Sequence, residues 1–144
     1  MWRSKSPLPM SSAEIRALLP KAGGAELLDD GVYSLIIRNH WYASKPELRW
    51  LREKVRPYLT EKRARHVAGC EEQAVKLAKR WGADVYEAAE AGILHDITKK
   101  LSDEEQLIMC GKYGIILDAA ERRNPRILHA RTGAALALVG TGAV

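Results

Sequence analysis

Residues 60–100 read TEKRARHVAGCEEQAVKLAKRWGADVYEAAEAGILHDITKK, and this stretch decides the predicted fold. Thr60 has a side chain typical of a helix N-cap, and it starts a long helix over residues 61–80. Gly82 ends that helix, because glycine readily adopts the left-handed conformation found after helix C-termini. Side chains recurring at steps of three and four residues predict the core-facing side of the helix. That side carries His66, Cys70, Ala74, Leu77 and Trp81.

A second helix follows directly, with Asp84 as its predicted N-cap. We predict that this helix continues without interruption through EAAEAGILHDITKK, so that the adjacent His-Asp pair lies in its middle. Small residues leave little bulk around that pair, which lets another helix approach closely. These residues are Ala88, Ala91 and Gly92.

Start and stop signals predict further helices on both sides of this stretch. They are a short helix over residues 11–19 capped by Ser11 or Ser12, a helix within residues 26–38, a helix after a capping box of Ser44 and Glu47, a helix after a capping box of Ser102 and Glu105, and a last helix from Arg126 to about Val139 with Asn124 as its N-cap. Strand-like alternation is scarce. The sequence therefore predicts an all-α bundle with a short N-terminal helical extension.

Composition limits the class of protein. The chain has 144 residues, which is enough for one domain with a short extension but not for a two-domain enzyme. With 47% hydrophobic residues and a net charge of +5, it falls outside the range of disordered chains. Its longest apolar runs are too short to span a bilayer, and the N-terminal MWRSKSPLPM lacks the apolar region of a signal peptide. Two cysteines, Cys70 and Cys110, are interpreted as core residues of a protein in the reducing cytoplasm.

The basic excess is concentrated in residues 45–66, which carry 8 Lys and Arg against 3 Glu. No aromatic or glycine pattern accompanies these charges, so a solvated helix face is the preferred interpretation and nucleic acid is not expected as a partner. A nearby site for a small polyanion remains compatible with the same charges.

Three of the four histidines stand where they can do chemistry. His66 lies on an apolar helix face, where an imidazole needs a polar partner. His95 and Asp96 are adjacent, and Lys99 follows one turn later. His129 falls in the first turn of the last predicted helix, where exposed N–H groups favour anions. A lone core histidine is more often structural, but imidazole and carboxylate ligands from separate helices suit iron, manganese and similar metals.

The segments VRPYLTEKRARHVAGCEEQAVKLAKRWGAD, AAEAGILHDITKKLS and ILHARTG together resemble the HD-domain phosphohydrolases, in particular the YqeK-type symmetrical bis(5'-nucleosyl)-tetraphosphatases, which are diadenosine tetraphosphate hydrolases. The resemblance covers about residues 46–137. It implies an HD-type helical bundle with a metal centre, with iron as the first expectation and manganese, cobalt or magnesium as alternatives. The implied substrate is a dinucleoside polyphosphate, cleaved to two nucleoside diphosphates.

The resemblance also implies a role for each matching residue. His66, His95 and Asp96 match the metal ligands, and Asp96 is also expected near the scissile phosphate. Arg63 and His129 match residues that contact substrate phosphates. Lys99 matches the basic residue of the family's HDxxK motif, so Asp96 and Lys99 are the expected catalytic pair.

The chain departs from the family pattern at both ends. The family continues to a further His-Thr and then an Asp, whereas this chain ends in GTGAV. We therefore expect residues 44–144 to be the N-terminal part of an HD domain that holds metal less tightly, with an inactive nucleotide-binding or interaction module as the alternative. Upstream, PMSSAEIRALLPKAGGAELLDDGVYSLIIRNHWY is similar to the C-terminal tail of nicotinate-nucleotide adenylyltransferases. Residues 1–43 are thus predicted to be an extension or linker without adenylyltransferase activity.

Overall fold

The protein is all-α, as the sequence predicts. The computed structural model describes residues 10–138, within which every regular element is a helix. Its α-helices are α1 (Ser12–Leu18), α2 (Asp30–Arg38), α3 (Leu48–Val55), α4 (Glu61–Trp81), α5 (Val85–Leu94), α6 (Asp103–Lys112), α7 (Ala119–Arg123) and α8 (His129–Leu136). Within this part of the chain no helix combines the length and the apolar character needed to cross a membrane.

Helices α4 and α5 form the closest pair in the bundle. A methyl group added at Gly92 of α5 would stand 2.7 Å from Cα of Glu71 on α4, closer than van der Waals contact allows. The predicted close approach of another helix is therefore confirmed. The predicted start of α4 is also confirmed, because the Thr60 hydroxyl accepts a hydrogen bond from the Arg63 N–H at 3.2 Å. Gly82 ends α4 with φ of 70°.

A single apolar core joins both sides of the predicted boundary at residue 44. Leu19 and Tyr33 from the N-terminal part lie in the same buried cluster as Leu51 of α3 and Ile93 of α5. Tyr33 packs edge-on against Trp50, with ring centroids 5.1 Å apart. The division into a 1–43 extension and a 44–144 domain remains a prediction, but the two segments bury their apolar side chains together.

The predicted core face of α4 is wrong. Leu77 and Trp81 are 55% and 74% exposed, while the buried residues of this helix are Val67 and Ala78. Periodicity gives the angular position of a stripe but not the direction from which neighbours pack. Here α5 packs against the side of α4 that contains Glu71, because Gly92 removes the side chain that would prevent it.

The predicted continuation of α5 through the His-Asp pair is also wrong. The helix ends at Leu94, and residues 95–100 follow in tight turns, in which the backbone N–H groups of Ile97 and Lys99 donate three residues back rather than four. The Gln106 side chain donates to the carbonyl of Thr98 at 2.8 Å, so α6 supplies a hydrogen bond that a continuing α5 would have made itself. This tertiary contact stabilises the turns.

Two further helix starts differ from their predictions. Ser44 does not cap α3: its hydroxyl donates to the Ile36 carbonyl at 3.3 Å, and Glu47 occupies the N-cap position. Asn124 does not cap the last helix, because its backbone N–H closes α7, a helix that the sequence reading missed. A 3-10 turn over Pro125–Leu128 intervenes before α8, and the predicted end at Val139 lies outside the described residues.

The predicted cap of α1 is confirmed at Ser11, where it is part of a capping box, and the predicted capping box of Ser102 is confirmed. The hydroxyl of each serine accepts a hydrogen bond from the backbone N–H of a glutamate three residues later. The backbone N–H of the serine in turn donates to the carboxylate of that glutamate. At the second box the hydrogen bonds from Ser102 hold the pKa of Glu105 below its ordinary value.

Candidate metal and phosphate site

The turn after α5 carries a buried carboxylate around which the other predicted site residues gather. Asp96 is 4% exposed, and its Oδ2 accepts a hydrogen bond from Arg63 Nη1 at 2.9 Å. The Nε2 atoms of His66 and His95 lie 3.5 and 3.4 Å from the same oxygen. His129 Nε2 lies 3.7 Å from the other oxygen, Oδ1. Side chains from α4, the turn and α8 thus meet at one point.

The two imidazoles nearest to Asp96 face each other. The Nε2 atoms of His66 and His95 are 3.4 Å apart. His95 Nδ1 lies 2.8 Å from the carbonyl oxygen of Gly92, which can only accept a hydrogen bond. A neutral His95 therefore carries its proton on Nδ1 and directs the Nε2 lone pair toward His66 and Asp96, the orientation that a metal ligand requires.

The donor atoms at this point fit a metal ion. Ligand atoms of His66, Cys70 and His95 all lie within 4.8 Å of one another, and Asp96 Oδ2 is within 3.5 Å of both imidazoles. Imidazole, carboxylate and thiol groups are ligands of zinc, iron, cobalt and related transition metals. The residue types and their spacing therefore suit a transition metal better than a purely oxygen-liganded ion such as magnesium.

Cys70 is the site residue whose position the sequence reading missed. It is half-buried rather than a core residue, and its Sγ lies 3.5 Å from His66 Nε2. The signal available in the sequence was the four-residue spacing from His66, which puts both side chains on one helix face. Cys110 is 1% exposed in the core, as predicted, and His40 is exposed.

Basic side chains flank Asp96 on both of its sides. Lys99 Nζ lies 3.2 Å from His129 Nδ1, and Arg63 remains 37% exposed although it holds Asp96. An open cleft of about 640 Å³ begins at Lys99 and extends to Arg126. Arg63 and Lys99 beside the one carboxylate of Asp96 give the site a local excess of positive charge, which favours anions, whereas the lining of the cleft also includes Asp103 and Glu104.

Other basic residues of the 45–66 stretch are paired away from this point. Arg52 forms a two-pronged ion pair with Glu71 at 2.6 and 3.0 Å, and Lys54 bonds Asp30 at 2.5 Å. Arg63 is the member of the stretch that reaches the buried carboxylate.

A buried polar network fastens the turn to α8 and so positions His129. The Thr98 hydroxyl donates to the His129 carbonyl at 2.8 Å and lies 2.9 Å from the Thr132 hydroxyl. Thr132 is within 2.6 Å of Gln106 Oε1. All three residues are essentially buried, so these hydrogen bonds replace water that the interior excludes. No pattern in the sequence reading pointed to this network.

Comparison with known proteins shows the family of the chain. The HD domain family model matches residues 63–138, more than half of the chain and the whole of the site just described. The chain belongs to the HD domain family.

Within that family the chain is similar to proteins named symmetrical bis(5'-nucleosyl)-tetraphosphatase. It is 40% identical to the one from Bacillus subtilis (strain 168) over 85 residues, which are 57% of this chain and 44% of that protein. It is 49% identical to the one from Halalkalibacterium halodurans over 45 residues, which are 31% of this chain and 24% of that protein. The chain thus spans less than half the length of these curated relatives, and no solved structure matches it.

Proposed function

We propose that the chain carries the site of a metal-dependent phosphohydrolase that cleaves diadenosine tetraphosphate symmetrically to two ADP. The observation that carries this proposal is the meeting of His66, His95 and Asp96 next to the basic side chains of Arg63 and Lys99. Membership of the HD domain family and similarity to the two tetraphosphatases support the reaction class and the substrate.

In this proposal His66, His95 and Asp96 hold the metal ion, with iron preferred and manganese, cobalt or magnesium as alternatives. A bound ion of this kind supplies Lewis-acid activation of water and of phosphoryl oxygens. The Gly92 carbonyl fixes the orientation of His95, and Arg63 fixes that of Asp96, so the donor atoms need little rearrangement on binding.

The remaining groups act on the polyphosphate by position and charge. Arg63, on one side of Asp96, is exposed enough to donate hydrogen bonds to a phosphate oxygen. Lys99 and His129, on the other side, offset the charge that develops on the departing diphosphate. The P–O bond to the central bridging oxygen breaks as water oxygen bonds to phosphorus, so each half of the substrate leaves as ADP. Asp96 and Lys99 are the proposed catalytic residues, and Arg63, Asp96 and His129 contact the substrate.

The cleft beside Lys99 has basic side chains at Lys99 and Arg126, and Asp103 and Glu104 also line it. A tetraphosphate with a nucleoside at each end extends well beyond one metal centre, and the cleft runs from Lys99 to Arg126. Arg126 is 84% exposed at its side chain and is held only by a 3.8 Å ion pair with Asp103. It is therefore available for a phosphate at the far end of the cleft.

A second candidate is an inactive HD segment that binds nucleotides or a partner without hydrolysing them. The observation that favours it is the exposure of one proposed metal ligand. The side chain of His66 is 48% exposed, so one flank of the site is open to solvent. Binding of a nucleotide without turnover would support this candidate.

The two candidates are separated by product analysis. The purified chain is incubated with iron(II) or manganese(II) and diadenosine tetraphosphate, and nucleotides are separated by ion-exchange chromatography. We expect two ADP per substrate, with the rate lowered by about 100-fold or more in Asp96→Asn. His40→Ala, a change at an exposed histidine on the α2–α3 connection, is the matched control and should keep full activity.

Formation of AMP and ATP would contradict symmetrical cleavage. Absence of turnover with metal and nucleotide both bound, measured by equilibrium dialysis, would overturn the enzyme proposal in favour of the binding module.

A further inference from the structure

Cys70 lies beside one of the proposed metal ligands. It follows His66 by one helical turn on α4, so both side chains project from the same face of the helix. Its Sγ points to the imidazole, 3.5 Å from Nε2 and 3.9 Å from Nδ1. The thiol is therefore nearest to the ring nitrogen that also faces His95.

Two of the separations between these atoms equal those between neighbouring ligand atoms on one zinc ion. Metal–nitrogen and metal–sulfur bonds of about 2.0 and 2.3 Å place two ligand atoms of a tetrahedral zinc ion about 3.3–3.6 Å apart. The observed separations are 3.4 Å between the two Nε2 atoms and 3.5 Å between Sγ and His66 Nε2. A ring nitrogen of His95 lies within 4.8 Å of Sγ. Because Sγ is also only 3.9 Å from His66 Nδ1, it lies beside that ring, and shared ligation requires the His66 and Cys70 side chains to rotate.

We propose that Cys70 is a thiolate ligand of the metal ion held by His66 and His95, which makes the site selective for borderline divalent cations such as zinc and cobalt over magnesium. The thiol S–H bond breaks on ligation and its proton goes to solvent, so the sulfur binds as an anion. Soft sulfur stabilises zinc and cobalt but adds little for magnesium, which prefers oxygen. The inference rests on the metal-binding part of the proposed function and not on the hydrolysis.

Cobalt(II) provides a direct readout of sulfur ligation. A thiolate bound to cobalt(II) gives an intense charge-transfer band in the near ultraviolet, whereas imidazole and carboxylate ligands alone give only weak visible bands. The metal-free full chain is titrated with cobalt(II) under reducing conditions, and bound metal is quantified in parallel by equilibrium dialysis. We expect the charge-transfer band in the wild type and its loss in Cys70→Ser.

Cys110→Ala is the matched control, because it removes the other cysteine of the chain, which is buried in the core. This variant should keep the band. Competition between zinc and bound cobalt should show that the zinc affinity of Cys70→Ser is at least about tenfold weaker than that of the wild type. This loss is comparable to the loss on removing groups that support metal ligands. Magnesium affinity should not change. Circular dichroism checks that each variant is folded.

The outcomes separate this inference from the proposed function. Cobalt bound by the wild type without a charge-transfer band, or a band that survives in Cys70→Ser, would overturn the role of Cys70 and leave the His-Asp site intact. A wild type that binds no cobalt would overturn both. Activity that persists in Cys70→Ser together with a lost band would support the inference, since the thiolate sets metal preference and is not required to activate water.

Discussion

Asp96 is a buried carboxylate surrounded by the cationic and imidazole groups that make its burial tolerable. A carboxylate at 4% exposure carries a large desolvation cost unless charged hydrogen bonds offset it. Arg63 supplies one such bond at 2.9 Å, and three imidazoles lie within 3.7 Å. A metal ion between these imidazoles and the carboxylate would add a further stabilising charge. The same residues therefore serve the fold and the proposed chemistry.

The buried Thr132 hydroxyl allows a test of the network behind this site. Thr132→Val keeps the shape of the side chain but leaves Gln106 Oε1 without the donor at 2.6 Å. We expect the free energy of unfolding to fall by about 1–3 kcal/mol, because a buried acceptor is left unsatisfied. Chemical denaturation with urea measures the change. Thr132→Ser retains the hydroxyl, so its free energy of unfolding should fall clearly less. Equal decreases in the two variants would show that the hydroxyl does not account for the lost stability.

Individual site residues could be nominated from the sequence because their motifs place titratable groups at short, regular intervals. Arg63, His66, His95, Asp96, Lys99 and His129 all reach the same point in the structure, although their roles remain predictions. Cys70 was misread, since a cysteine on an apolar stripe looks the same whether it faces a core or a metal site. Thr98 and Thr132 were missed, because hydrogen bonds between distant segments leave no local pattern.

Helix α4 and helix α5 owe their close contact to one glycine. Gly92 stands where any side chain would meet the backbone of Glu71, and the carbonyl of the same residue orients His95. The distance between the two helices therefore also sets the distance between the imidazoles of His66 and His95. Packing and site geometry are coupled at this crossing.

Gly92→Ala should separate the helices. The added methyl group would lie 2.7 Å from a backbone atom, which cannot move as a flexible side chain can. We expect a loss of roughly 1–3 kcal/mol in stability from overpacking, together with weaker cobalt binding as the imidazoles move apart. Thermal unfolding and cobalt titration measure the two effects.

Gly69→Ala is the matched control, because Gly69 lies within α4 and has no neighbouring atom within 4 Å of the added methyl group. It should be neutral or stabilising by up to about 1 kcal/mol, since alanine favours the helix. Comparable losses in both variants would rule out the close approach at Gly92 as the cause.

Within residues 10–138 the N-terminal segment and the part that carries the site share an apolar core, and in the proposed function a metal ion adds a second link. The core joins Leu19 and Tyr33 to Leu51 and Ile93, so the N-terminal segment contributes to the stability of the part that carries the site. His66 comes from α4, whereas His95 and Asp96 come from the turn after α5. A metal ion bound to all three would tie these segments together and favour the folded state.

Metal binding should therefore raise the melting temperature. At a free metal concentration 100 times the Kd, mass action adds about 2.7 kcal/mol, which corresponds to roughly 5–15 °C for a domain of this size. Differential scanning fluorimetry before and after treatment with a chelator measures the shift, and added cobalt or zinc should restore it. His95→Ala should show no response to either treatment. A wild-type melting temperature that does not change on addition or removal of metal would contradict metal binding at this site.

Helix identity and most helix ends were readable from the sequence, because caps such as Thr60, Ser11 and Ser102 and stops such as Gly82 act within one or two turns. The motif that carries the resemblance to HD proteins was readable for the same reason: its residues lie at fixed short spacings along the chain.

What the sequence left open depended on contacts between distant segments. The end of α5 at Leu94 is stabilised by Gln106 from another helix, and the buried side of α4 is set by the close approach at Gly92. Local propensity favours continuing a helix and cannot indicate from which direction a neighbour packs. Tertiary packing settles both, and in doing so it turns the His-Asp pair toward His66 and Cys70.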